Sequence, residues 1–266
     1  MRRASAAAAM AVAFAATAHA QVAPNRAATY LVATDVSDAR ALWVNPAGLA
    51  VRPEASVMLD LTVVQPGAGG RLGQVTAGFN AHGLSFGYQR DNFSSGVHGH
   101  TFKLGLAGGT GTFSGGIAIA LYRGGNGGTG WDMGVRYDWL SAVTIGGVIR
   151  NIGQPSVRGV RQYTTAVPAI TLRPFASILA LSAQASVAST ATARGYAVAA
   201  TALWPRSPHV GLLARYDTDG SLHRRALLFG LSIGTRDLVG LVGSTPGDFS
   251  RVDALSLYGV SSRTPR

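Results

Sequence analysis

The chain contains no cysteine, a single lysine (Lys103) and only 12 carboxylate side chains among 266 residues. Without cysteine, neither a disulfide framework nor a thiolate metal site is available. Charged residues make up 13% of the chain, about half the share of an ordinary soluble domain. Long apolar runs are missing as well. Beyond the N-terminal 25 residues, the longest charge-free stretches, 104–122 and 174–193, are interrupted by Gly108, Gly109, Gly111, Gly115 and Gly116 in the first, and by Ser177, Ser182, Gln184, Ser186 and Ser189 in the second. Neither keeps together the roughly 20 apolar residues that a membrane helix needs. Signatures of local chemistry are sparse. No Gly-x-Ser-x-Gly elbow marks a nucleophile, and the glycines of 108–116 lack both the lysine and the following helix of a phosphate loop. His98 and His100 share a face without an adjacent third ligand. Asp217-Thr218-Asp219-Gly220 is followed by no acid at the spacing of a calcium loop, and reads as a turn. These absences predict a non-enzymatic chain with no metal and no cofactor.

What is present is glycine (35 residues), a positive mean hydropathy of +0.21 and a large excess of arginine. The N-terminus reads as an export signal: Arg2 and Arg3, a short Ala-rich segment over 6–16, then Ala18-His19-Ala20 as a small-x-small cleavage pattern, leaving Gln21 first in the mature chain. The formal charge is +11, and +9 once Arg2 and Arg3 are removed. The arginines are spread along the whole chain, which argues against a nucleic-acid site. In an envelope protein they would instead favour anionic lipid headgroups or anionic solutes.

The dominant pattern is alternation of period two, which marks strands with one apolar and one wet face. Fourteen such runs, with a range of twelve to sixteen, fall near 54–64, 72–80, 83–90, 98–107, 112–122, 130–138, 141–150, 165–173, 177–187, 194–204, 208–216, 223–234, 237–244 and 252–261. Turn residues separate them, such as Gln65-Pro66-Gly67 and Pro246-Gly247-Asp248. Val57, Leu59, Leu61 and Val63 share one face and Asp60 and Thr62 the other. Across the runs the charges Asp60, Lys103, Asp132, Arg136, Asp138, Arg150 and Arg215 fall on the wet side. A charge facing lipid near the midplane costs a few kcal/mol, so this sorting predicts an all-β transmembrane antiparallel barrel with those residues lining its lumen. The competing architecture is a soluble β-sandwich with one wet face. The predicted organisation is a signal over 1–20, an N-terminal segment over 21–53 and a barrel over 54–266. A barrel of this size holds more space than small side chains fill. The N-terminal segment, with an apolar, non-alternating stretch at 42–49 broken by Asn45-Pro46, is the natural filling.

The run from Ala33 to Ala50, with its Trp43-Val44-Asn45-Pro46-Ala47-Gly48-Leu49 core, resembles the N-terminus of FadL-like outer-membrane barrels. It is most similar to the PorV/PorQ-type branch. Trp131-Asp132-Met133-Gly134-Val135-Arg136-Tyr137, the following 146–153 stretch and Arg224 to Leu231 resemble the same branch. The resemblance implies a 14-stranded barrel with a short hatch in the lumen, and it places Asn45, Pro46 and Ala47 in that hatch beside a passage for hydrophobic substrates. Pro46 lacks an N–H and restrains Asn45, whose amide can satisfy freed backbone groups. A fixed plug and a moving gate both fit this motif. The loops are short, the longest (about 151–164) being polar and basic, which leaves little room for a large external capture groove. The implied function is passive passage of small hydrophobic or amphipathic molecules across the outer membrane of a Gram-negative-type envelope. The alternative is a PorV-like scaffold for secreted proteins or a secretion machine. The implied partners are outer-membrane lipid, hydrophobic small molecules or secreted proteins.

Overall fold

A computed structural model describes residues 28–264 except 68, 177, 190–192 and 205–207. The export-signal reading at 1–20, and residues 21–27 of the N-terminal segment, lie outside the described residues. A four-residue helix α1 (Ala41–Val44) and a 3₁₀ turn (Pro46–Ala50) precede the sheet. The strands are β1 (Ala55–Val64), β2 (Arg71–Ala81), β3 (Leu84–Asn92), β4 (His98–Thr110), β5 (Phe113–Gly124), β6 (Gly128–Leu140) and β7 (Val143–Ile152). A small hairpin follows, β8 (Ser156–Val157) with β9 (Val160–Arg161). Then come β10 (Thr165–Leu172), β11 (Leu179–Ala188), β12 (Ala193–Trp204), β13 (His209–Thr218), β14 (Arg224–Gly234), β15 (Asp237–Pro246) and β16 (Ala254–Arg263).

Apart from the small hairpin, the strands form one closed antiparallel barrel of fourteen, each paired with its neighbours in sequence. β7 pairs with β10, so the hairpin stands outside the ring. Closure comes from β1 and β16, in register from Ala55↔Arg263 to Val64↔Ala254. Every run expected from the alternation is a strand here, with ends shifted by a few residues. The closed ring excludes the sandwich alternative.

The alternation places the oily side chains outside. On β1, Val57 and Leu59 are 55% and 50% exposed, whereas Asp60 and Thr62 are buried inside the ring. Phe79, Ile117, Leu121, Phe229, Leu231 and Ile233 are exposed in the same way, opposite Gln74, Thr76, Asn80, Ala118, Ala120 and Leu228, which are buried. In water so much exposed apolar surface would be a liability; in a bilayer it is the contact surface. Large aromatic residues sit near the strand ends, Trp139 and Trp204 at one rim and Trp131 and Tyr196 towards the other, as interfacial girdles do.

The two rims differ. One carries two-residue turns at 82–83, 111–112, 141–142 and 235–236 beside a longer connection at 173–178; the other carries connections such as 93–97, 153–164, 219–223 and 247–253. His82 (φ 52°) and Gly83 (φ +91°) both take the left-handed conformation that a tight hairpin requires. A Cβ at Gly83 would stand 2.2 Å from the Ala107 carbonyl oxygen, so glycine is needed there for space as well.

A charge on the outer wall tests this placement. Phe229→Arg, at the middle of β14, is expected to cost about 2–4 kcal/mol in urea-induced unfolding from lipid vesicles, and Val57→Arg, close to the short-turn rim, about 1 kcal/mol or less. Equal penalties at the two positions would contradict the assigned depth.

Candidate functional site in the barrel lumen

Residues from Thr29 to Leu49 thread through the ring of strands, and their contacts reach almost every part of it. Tyr30 stacks on Tyr258 of β16 with ring centroids 5.3 Å apart. Ala33 N donates to Gln184 Oε1 of β11 at 3.3 Å, and the hydroxyls of Thr34 and Thr171 on β10 meet at 2.8 Å. Asp35 pairs with Arg173, just beyond β10, at 2.6 Å. Ala39 N donates to Ser56 Oγ of β1 at 2.9 Å, and Asn80 of β2 donates to the Leu49 carbonyl at 2.9 Å. Leu42, Ala47 and Leu49 are fully buried. Only a segment inside the barrel can touch opposite walls in this way.

The wall makes room for it with glycine. A Cβ at Gly87 would lie 2.7 Å from the Trp43 ring, at Gly105 2.6 Å from Leu42, at Gly116 2.5 Å from the Pro46 carbonyl and at Gly134 1.8 Å from Asn45 Oδ1. These four glycines sit on the inner faces of β3, β4, β5 and β6, forming one stripe across successive strands. The turn at the centre of the segment is locked by Asn45. Its Nδ2 donates to the Ala33 carbonyl at 2.9 Å and to the Val135 carbonyl of β6 at 3.3 Å; its Oδ1 accepts from Ala47 N at 3.1 Å. Pro46 opens the 3₁₀ turn, where its missing N–H is no loss.

The charges singled out by the alternation all lie on the inner face, and several grip the segment. Arg150 donates to the Val44 carbonyl, through Nε at 3.0 Å and through a second, shorter contact from Nη2. Arg215 donates to the Leu31 carbonyl at 2.6 Å and pairs with Asp217 at 2.8 Å. Lys103 forms a close ion pair with Asp132 and stands 5.6 Å over the Trp43 ring. Asp132 also accepts from Asn151 N at 2.9 Å. Arg136 pairs with Asp138 at 3.1 Å, and Asp138 accepts from Thr144 at 2.6 Å. Asp60 accepts from Thr62 at 3.0 Å, and Thr62 meets Ser256 at 2.8 Å. Within the segment, Arg40 pairs with Asp38 at 2.6 Å and donates to Tyr30 Oη at 2.9 Å. Burial alone would raise the Asp38 carboxyl; the Arg40 guanidinium more than reverses this and holds it below the usual carboxylate range.

A partly enclosed space lies beside the segment. A cavity of about 90 Å³ is lined by Ala28, Thr29, Trp43, Gln89, Thr101, Lys103, Tyr122, Asp132, Arg150 and Asn151. Its walls combine two aromatic rings with an ion pair and hydroxyl and amide groups. Trp43 Nε1 and Thr101 Oγ1 have no hydrogen-bond partner among the described residues.

The long connection between β7 and β10 differs from the plain polar loop expected from its sequence. Its β8–β9 hairpin turns inward over the mouth, so that Val157 is buried against Ala120 and Tyr122. Ser156 bridges to Gly127, Arg158 N donates to Asn126 Oδ1 at 3.1 Å, and Asn126 donates to Asp91 at 2.8 Å. Arg158 completes the latch, 3.7 Å from Asp91. The single apolar residue between left-handed Gly153 and Gly159 was the available signal. Sequence reasoning also missed Arg173, Asp35, Trp43 and the glycine stripe as parts of this site. The stripe could have been found as glycine recurring on the wet face of four consecutive strands.

Closed ring, outward apolar band and filled lumen together define a transmembrane antiparallel β-barrel. Compared by sequence, the chain matches no family model and no curated protein. Compared by fold, it is similar to the crystal structure of the toluene transporter TbuX of Ralstonia pickettii, with a TM-score of 0.55, 12% identity and coverage of 89% of this chain and 96% of that one. The CymD monoaromatic hydrocarbon channel is similar at a TM-score of 0.55 and 9% identity, covering 89% of this chain and 95% of that one. The outer membrane protein Omp33 of Acinetobacter baumannii gives a TM-score of 0.50 and 7% identity, covering 80% and 98%. At these identities the likeness is one of fold.

Asn45→Ala would leave two buried carbonyls and one N–H without their side-chain partner. The expected cost is about 2–3 kcal/mol to the seating of the segment, read as a roughly 30-fold or greater rise in amide hydrogen exchange over residues 33–50 while the strands keep their protection. Unchanged exchange in the segment would show that Asn45 does not hold it.

Proposed function

We propose that this chain is a non-enzymatic outer-membrane barrel for passive passage of small hydrophobic or amphipathic molecules, with its N-terminal segment as the hatch. The observation that carries the reading is the lumen itself: a sheet-free segment occupies it, held by side-chain contacts rather than by strand pairing. A plug held in this way can be shifted without opening the ring. Lys103, Asp132, Arg136, Asp138, Arg150, Arg215 and Asp60 set the polarity of the route, and the Asn45-Pro46-Ala47 turn restricts it. The fold likeness to a toluene transporter and a monoaromatic hydrocarbon channel supports this choice of cargo class. So does the resemblance of the Asn-Pro-Ala run to FadL-like barrels. The alternative role, as a scaffold for secreted proteins, draws on the motif resemblance alone.

Size argues for a moving hatch. An apolar cavity of about 150 Å³ accommodates benzene, whereas the space beside Trp43 is about 90 Å³ and partly polar. A monoaromatic molecule therefore fits this space only if the segment yields.

The absence of native cysteine allows a clean test. The Thr34 and Thr171 hydroxyls are 2.8 Å apart, a separation that two cysteine sulfurs can bridge. In cells carrying the Thr34→Cys/Thr171→Cys variant, uptake of a labelled monoaromatic hydrocarbon is expected to fall at least about fivefold on oxidation and to recover on reduction. Uptake no higher than in cells without the protein, in wild type and reduced variant alike, would overturn the transport reading. Uptake indifferent to oxidation would make the segment a fixed plug.

A further inference from the structure

The outer wall carries a feature that contact with hydrocarbon alone does not require. Arg90 on β3, His100 on β4 and Arg123 on β5 occupy directly paired positions, Arg90↔His100 and His100↔Arg123. They stand on the outward face of the sheet, in alternation with buried Gln89, Thr101 and Tyr122. Adjacent strands lie about 4.8 Å apart, so the two guanidinium-bearing positions stand roughly 10 Å from each other across His100, a span that one phosphate group can bridge. No carboxylate of the described residues joins them: Arg90 donates to Asn92 Oδ1 at 3.1 Å and Arg123 to the Tyr122 carbonyl at 2.9 Å. Among the described residues, every ion pair lies elsewhere.

Beside this basic row, on the side facing the apolar band, is an aromatic cup. Tyr88 stacks on His100 with centroids 6.0 Å apart, shares a 2.8 Å hydrogen bond with its Nδ1, and contacts Phe102 at 5.2 Å. Phe86, Tyr88, His100, Phe102 and Arg123 line a shallow outer depression of about 610 Å³. From it an apolar track continues towards the midplane over exposed Leu104. The row lies at the rim of the longer connections, where Arg71, Arg194, Arg224, Arg225 and Arg251 also sit. In barrels of this kind that rim faces the cell exterior.

We propose that this face of β3–β5 is a binding site for one phosphate-bearing lipid of the outer leaflet. Its phosphate lies between Arg90 and Arg123, and an acyl chain follows the Phe86–Phe102 wall. Charge complementarity selects the occupant. Guanidinium forks bind phosphate oxygens in two-point fashion, and the aromatic cup below them suits a hydrocarbon chain and not a soluble anion. The site is on the outside of the ring, so it is independent of what passes through the lumen.

The test uses the full mature protein in phosphatidylcholine nanodiscs doped with a bis-phosphorylated glycolipid (lipid A) or with its dephosphorylated form, with retained lipid counted by native mass spectrometry. Wild type is expected to retain about one phosphorylated lipid and to prefer it at least tenfold over the dephosphorylated one. Arg90→Gln/Arg123→Gln should lose that preference, while Arg225→Gln, an exposed arginine at the same rim, should keep it. Millimolar inorganic phosphate should leave the lipid bound. The proposal is overturned by equal retention of the two lipid forms in wild type, by an equal loss in Arg225→Gln, or by displacement with inorganic phosphate, which would make the row a site for the free anion. The wild-type comparison needs no variant and stands even if the double variant folds poorly.

Discussion

In hydrocarbon, every backbone N–H and C=O must find its partner within the protein, because no water is there to supply one. For strands this leaves a single solution, a ring with no free edge. The pairing of β1 with β16 over ten positions, Ala55↔Arg263 to Val64↔Ala254, is therefore the interaction on which the rest depends. It joins the two ends of the described sheet, and only with it made can the outer faces be oily throughout. It also creates the lumen, since a fourteen-stranded ring is too wide for its own side chains to fill.

The lumen is then a second problem of burial. Polar groups out of water must be hydrogen-bonded or they cost free energy. The wall supplies hydroxyls, amides and paired charges, and the N-terminal segment supplies carbonyls for Arg150 and Arg215 and an amide, Asn45, that serves both segment and wall. The result is a filling in which wall and segment satisfy one another's polar groups. A segment tied in by β-pairing would be part of the sheet; this one is held by side chains, which is the ground for proposing it as a hatch. The same economy acts at the other mouth, where a single apolar residue, Val157, and the Arg158–Asp91 pair hold the β8–β9 hairpin inward.

The strands and their faces were legible in the sequence because lipid outside and polar groups inside force a strict period of two. That is why Asp60, Lys103, Arg136 and Arg215 could be assigned to the inner side from neighbours one residue away. What those charges do was not legible. Arg150 meets Val44 across 106 residues, and Asn45 meets Val135 across 90. No local pattern encodes such pairings. Gly134, within Trp131-Asp132-Met133-Gly134, carries no local sign of its role; its reason is the Asn45 side chain, which leaves no space for a Cβ. The inward hairpin was missed for a related cause. Its sequence is polar and basic, as an exposed loop would be, and one valine was too weak a signal.

The central claim is that a complete ring is kept closed by a removable segment. Planar-bilayer conductance of the mature protein, compared with a chain lacking residues 21–53, tests it most directly. The account predicts little steady conductance from the intact protein and a large rise, with the barrel still folded, when the segment is absent. Equal conductance from the two chains would contradict it.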